Sequence, residues 1–181
     1  MLKSARLLLR PIQESDINST YLNWLNDPVV NRFLETRFTE QTLTTLHDYW
    51  KLHHDLSDSP WFAICLHRNT RHIGNIKLGP INPHHQRADI SLFIGERDCW
   101  GQGFAHEAIS LIRDWAFKEL KLEKLNAGMY SKNVGSKQAF EKCGFELEGT
   151  LRNEVLFEGE RADVFRLGLS RATWEKSLNM K

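Results

Sequence analysis

Residues 100–105 read Trp-Gly-Gln-Gly-Phe-Ala and lead with no spacer from a strand pattern into the strongest helical pattern of the chain. Upstream, residues 88–95 have strand character. Downstream, Ala105, Ala108, Ile109, Ile112, Trp115 and Ala116 recur at helical spacing, with Leu120 near the end. Residues 122–130 then read as a strand again. Strand, glycine loop, helix and strand in this order make a crossover unit, so residues 88–130 predict one parallel strand pair.

The flanking segments predict hairpins. Residues 6–12 form an opening strand ended by Pro11. A helix capped by Ser15 follows, in which Ile17, Tyr21, Trp24 and Leu25 share a stripe. Asp27-Pro28 stops that helix and starts a short second one, since Asp caps well and Pro suits the first helical position. Thr39 caps a third helical stretch to about His54. Strands are expected at 61–67 and 72–78 around a turn at 68–71, and a prolonged loop at 79–87. Residues 133–142 give a short helix closed by Gly144, and residues 145–157 and 161–169 a last strand pair. The fold class is α/β (α+β): a mixed, mostly antiparallel central sheet with flanking helices, in a single domain spanning residues 1–181.

Composition removes several functions. Lys+Arg 24 against Asp+Glu 23 is too even for a chain that coats nucleic acid. The longest apolar run, 61–66, falls far short of the roughly 20 residues of a membrane helix, so a soluble, cytoplasmic chain is expected. Cys65, Cys99 and Cys143 form no CxxC, the pairs His53-His54 and His84-His85 lack ligand spacing, and His106-Glu107 fails as HExxH at Ser110. No metal site is expected.

A glycine loop entering a helix suits an anion, because unpaired N–H groups and the helix dipole converge there. As a dinucleotide fingerprint the loop fails at His106, and no acidic residue ends the next strand at Met129-Tyr130. As a P-loop it lacks the GK[ST] ending.

At these residues the chain resembles the GNAT N-acetyltransferases, and within them RimJ/RimL-like proteins. The likeness covers nearly the whole chain. It runs through residues 6–11 with Asp16, 24–28 and 73–76. It is most specific in residues 100–105 with Glu107-Ala108, and in Asn133 and Ser136 ahead of Phe140-Glu141-Lys142-Cys143-Gly144-Phe145. The resemblance implies the GNAT fold, with its parallel strand pair splayed apart, and acetyl-CoA as acyl donor. The diphosphate would lie on Gly101, Gln102, Gly103, Phe104 and Ala105. The pantetheine arm would lie along Phe93, Ile94 and Gly95, with Asn133 and Ser136 beside it.

Acyl transfer to an amine needs a base, carbonyl polarisation and a proton for the thiolate. Glu96 is the first candidate base and Asp89 the second. Phe140 stands where many members carry a tyrosine acid, which leaves Ser136, Tyr130 or water. The acceptor amine is expected between residues 24–38 and 151–161, with Trp24, Phe33 and Phe38 as an aromatic floor. Arg32, Arg37, Arg152 and Arg161 there favour an anionic acceptor, and Glu35, Glu154, Glu158 and Glu160 a cationic one, so charge does not decide. A nucleotide-linked amino sugar ranks first, ahead of a protein N-terminus or a polyamine. A sensor that binds acyl-CoA without turnover is the non-enzyme alternative. The chain would be a monomer or homodimer.

Overall fold

A computed structural model describes residues 1–55 and 57–179. Eight strands form one sheet: β1 (Leu2–Lys3), β2 (Leu7–Pro11), β3 (Trp61–Leu66), β4 (His72–Leu78), β5 (Arg87–Ile94), β6 (Lys124–Tyr130), β7 (Glu146–Phe157) and β8 (Glu160–Ser170). Their order is β1-β2-β3-β4-β5-β6-β8-β7, and every neighbouring pair is antiparallel except β5 and β6. The helices are α1 (Ser19–Asn26), α2 (Leu43–His53), α3 (Phe104–Lys118), α4 (Val134–Lys142) and α5 (Arg171–Asn179). This is the mixed sheet with one parallel step that the sequence predicts.

The apolar patterns decide which face each helix covers. α3 carries Ala108, Ile109, Ile112, Ala116 and Phe117 on one stripe, all fully buried against Leu7, Leu9, Ile64, Ile73 and Leu125. Each such Leu or Ile contributes about 1.5–3 kcal/mol by leaving water. On the opposite face α1 and α2 set Tyr21, Trp24, Leu25 and Leu46 against Trp61, Ala63, Cys65 and Phe93. β3 is therefore covered on both sides, and all six of its residues are buried. That explains an unbroken apolar run in place of alternation.

Three local expectations need correction. Asn18, not Ser15, caps α1, its side chain accepting from the N–H groups of Thr20 and Tyr21, while residues 14–16 make a single 3-10 turn. Asp27-Pro28 starts no helix. Asp27 accepts from the N–H of Val29 at 2.8 Å and of Asn31 at 2.9 Å, closing turns that run to a 3-10 segment at Glu35–Phe38. Thr42, not Thr39, caps α2 in a reciprocal pair with Thr45. β1 and α5 are elements the sequence reading did not include. All three cysteines are free and buried.

Candidate active site

β5 and β6 pair only at Arg87–Lys124, Ala88–Leu125 and Asp89–Asn126, although both strands continue to Ile94 and Tyr130. Beyond Asp89 they diverge into a wedge. At its closed end the Asp89 carboxylate accepts from Asn126 at 3.3 Å and Arg166 at 3.2 Å. Alternation along a ladder decides which main-chain groups face the wedge. The N–H of Gly95 donates to the Ile73 carbonyl, so Gly95 and, two residues back, Phe93 turn their polar groups toward β4. Leu92 and Ile94 therefore turn theirs toward the wedge. The Ile94 carbonyl is already taken by the Trp100 indole N–H at 2.8 Å, which leaves the Ile94 N–H and both groups of Leu92.

Phe93 and Gly95 have other work here. The Phe93 ring stacks on Tyr21 and meets Trp24 edge-on. Gly95 makes room for Trp24, because a Cβ there would lie 2.1, 2.4 and 2.5 Å from three carbons of that indole. Gly95→Ala should therefore lower stability by about 1–3 kcal/mol through overpacking. A melting curve should show a drop of roughly 2–12 °C, and an unchanged midpoint would refute the contact.

After β5 a 3-10 turn at Arg97–Cys99 leads into the glycine loop. Gly101 and Gly103 both take left-handed backbone, at φ 71° and 80°, which explains glycine at both positions. Gly103 is the N-cap of α3 and supplies no capping side chain, so the first-turn N–H groups stay open to a ligand. Glu107 stands in this first turn, where a carboxylate would repel an anion. Its charge is neutralised by the Arg6 guanidinium at 2.6 Å, and it also accepts from the Ser4 hydroxyl at 2.5 Å. Burial opposes its charge, yet these hydrogen bonds hold its carboxyl below the usual range. Arg6 also donates to the Gln102 carbonyl and lies 4.6 Å above the Phe104 ring. Arg6, expected in the opening strand and in the stretch that carries the family likeness, is thus also a cation that supports the loop.

Glu96 begins the turn after β5. One carboxylate oxygen accepts from the Trp24 indole at 3.1 Å and the other pairs with Arg71, which also holds Asp98 at 2.8 Å. Across the wedge, the Tyr130 hydroxyl donates to Glu35 and accepts from Arg37 at 3.1 Å. Burial and the Glu35 carboxylate raise the pKa of this phenol, whose proton is already engaged. Asn133 caps α4 by accepting from the Ser136 N–H at 3.2 Å. The Ser136 hydroxyl has no partner among the described residues. Phe140 is fully buried and meets Phe145 edge to face.

A cavity of about 490 Å³ opens beside β5 on the α1 and α2 face. Its aromatic walls are Tyr21, Tyr49, Trp61 and Phe93, with Glu35, Thr36, Gln41, Thr45, Asn75, Lys77 and Ser91 as the polar lining. The expected floor is not there: Trp24 is buried at Gly95, Phe33 stacks on Phe157, and Phe38 is exposed beneath Arg37. Nor does the hairpin at 151–161 line the cavity. It docks on the 32–37 segment, where Arg32 pairs with Glu158 and Arg37 reaches the Leu156 carbonyl. Among the described residues no group of three or more metal-ligating side chains occurs. No helix among them is long and apolar enough to cross a membrane.

Residues 6–146 match the family model described as an acetyltransferase (GNAT) domain, which spans the wedge, the glycine loop and α4. The chain belongs to the GNAT acetyltransferases. It is an acetyl-CoA-dependent N-acetyltransferase, as the motifs imply, and the sensor alternative gives way. An uncharacterised N-acetyltransferase of Bacillus licheniformis is 29% identical over 172 residues, 93% of this chain and 94% of that protein. The spermidine N(1)-acetyltransferase of Escherichia coli K12 is 27% identical over 160 residues, 88% and 83% of the two chains. Among solved structures, the Vibrio cholerae spermidine N-acetyltransferase crystallised with CoA and spermine superposes with a TM-score of 0.84. It is 24% identical and covers 95% of this chain and 99% of its own. That last likeness concerns the fold.

Proposed function

We propose that this GNAT enzyme acetylates a polyamine or a similarly slender aliphatic amine. The observation that carries the reading is the aromatic cavity beside the wedge, in which Glu35 is the only carboxylate among the described lining residues. Ammonium groups are favoured by aromatic faces and by a carboxylate. A nucleotide-linked amino sugar, ranked first from sequence, needs cations for its phosphates. Of the four arginines offered for that task, Arg32 is held by Glu158 and Arg37 by Tyr130 and main-chain carbonyls, and Arg152 and Arg161 do not line the cavity. The relatives named spermidine acetyltransferases support the same order, and favour a polyamine subgroup over the RimJ/RimL-like one.

For the donor, the N–H groups of Gly101, Gln102, Gly103, Phe104 and Ala105 hold the diphosphate. The wedge-facing N–H of Ile94, with Leu92, pairs with the amides of the pantetheine arm as a strand pairs with a sheet edge. Phe93 serves the acceptor cavity and Gly95 the packing of Trp24, while Asn133 sets the start of α4 and so the place of Ser136. Glu96 is the base that takes the ammonium proton, directly or through water. Ser136, with its free hydroxyl, protonates the departing thiolate in preference to Tyr130, which already donates to Glu35.

The test is turnover of acetyl-CoA with spermidine, a nucleotide-linked amino sugar and peptides with free N-termini. Spermidine is expected to give a kcat/KM at least tenfold above the others. Turnover confined to the sugar or the peptides would overturn the polyamine reading.

A further inference from the structure

The wall of the cavity formed by β4 holds a polar group with nothing to bind. Asn75 is 4% exposed and lines the cavity. Its Nδ2 has no hydrogen-bond partner. The orientation of this amide is fixed by its neighbour. His72 Nε2 lies 2.9 Å from the Gly74 carbonyl and 2.9 Å from Asn75 Oδ1. A carbonyl can only accept, so Nε2 carries the hydrogen, and Asn75 must present its oxygen to it. Turning the amide over would set two donors against each other. The NH2 end is thereby committed to the side of the Tyr21 hydroxyl, which lies near it but outside hydrogen-bond geometry, so the donor is left unpaired.

Two neighbours sharpen the chemistry. Thr36 lines the same cavity and its hydroxyl is also buried without a partner, but a hydroxyl can give or take. The Tyr21 phenol, driven toward its neutral form by burial, is flanked by the Asn75 amide. Asn75 Nδ2 alone can only give. A ligand that sets a cation or a methylene against it leaves a buried donor unsatisfied, whereas a lone pair completes it.

We infer that Asn75 is a specificity-determining residue of the acceptor cavity. It selects amines that carry a lone pair away from the reacting nitrogen, either an oxygen or a nitrogen bound in its unprotonated form. This rests on the proposed acceptor cavity but not on the acceptor being a polyamine.

Three primary amines of equal length separate the possibilities: 3-methoxypropylamine, N-methyl-1,3-propanediamine and pentylamine. Their binding to the CoA-loaded enzyme is measured by calorimetry, and their acetylation by release of free CoA. The wild-type protein should bind the ether about tenfold more tightly than pentylamine. If the diamine matches the ether, its inner nitrogen is bound neutral. If it falls to the level of pentylamine, oxygen is the group selected. Asn75→Leu should erase the ether's advantage. Asn75→Asp keeps the acceptor for His72 but replaces the donor with a carboxylate, and should favour the diamine over the ether by a similar factor. Equal binding of ether and pentylamine by the wild-type protein overturns the inference, as does an ether preference that survives in both variants. Spermidine turnover without an ether preference leaves the polyamine reading standing and Asn75 refuted. An Asn75-dependent ether preference without spermidine turnover does the reverse.

Discussion

Gly103→Val should raise the KM for acetyl-CoA by roughly a hundredfold while the protein still folds. Gly103 holds φ 80° at the N-cap of α3, a conformation that costs an ordinary residue about 1–2 kcal/mol and a β-branched one more. The protein itself offers no obstacle, since the nearest atom to a Cβ there is Arg6 Nη2 at 3.6 Å, an ordinary contact. The chain therefore relieves valine by turning the peptide out of its left-handed state, and the N–H groups at 103–105 swing away from a shared focus. Losing one or two hydrogen bonds to a charged group, about 1.5–3 kcal/mol each, accounts for the factor. KM for the donor and KM for the amine, measured separately with a melting curve, check this. A native melting midpoint with an unchanged donor KM would falsify the cradle.

Glu96→Gln should lower kcat about a hundredfold with little change in either KM, the scale of a lost general base. Glutamine fills the same volume but keeps a single oxygen, which can accept from the Trp24 indole or from the Arg71 guanidinium and not from both, since its other end only donates. The carboxylate is 20% exposed and its partner 38%, so the missing ion pair costs at most about 1 kcal/mol of stability. The two roles therefore separate cleanly. If Glu96 is the base, the variant is a slow enzyme that keeps its affinity for both substrates. A merely structural carboxylate leaves kcat intact and lowers the melting temperature alone. Arg71→Met serves as the control, because it breaks the same ion pair while retaining the Glu96 carboxylate.

The parts of the fold that could be read in advance were those fixed by repeated, mutually supporting signals. The stripe from Ala108 to Ala116 admits one helix face, and the two hairpin turns admit one pairing each. Caps were harder, since Ser15 and Asn18, or Thr39 and Thr42, stand three residues apart and each can accept from a helix N–H. Asn18 wins because Gln13 and Asp16 already close a separate turn upstream. The glycine loop was legible because its two glycines and the following helix face act together. What could not be read was parity. Whether Ile94 or Gly95 addresses the wedge depends on which of them bonds across to Ile73, a fact that resides in β4. The same holds for Asn75, whose significance comes from the tautomer of His72, and for Gly95, whose missing side chain is explained by the indole of Trp24, far earlier in the chain.

Three rungs join β5 to β6, and with them one half of the sheet to the other. Past Asp89 the seam is bridged by no main-chain ladder. Anything seated there with amides of its own would act as mortar as well as reagent, so cohesion between the halves would rise and fall with occupancy. Each round of chemistry that empties the seam would return the molecule to its looser form.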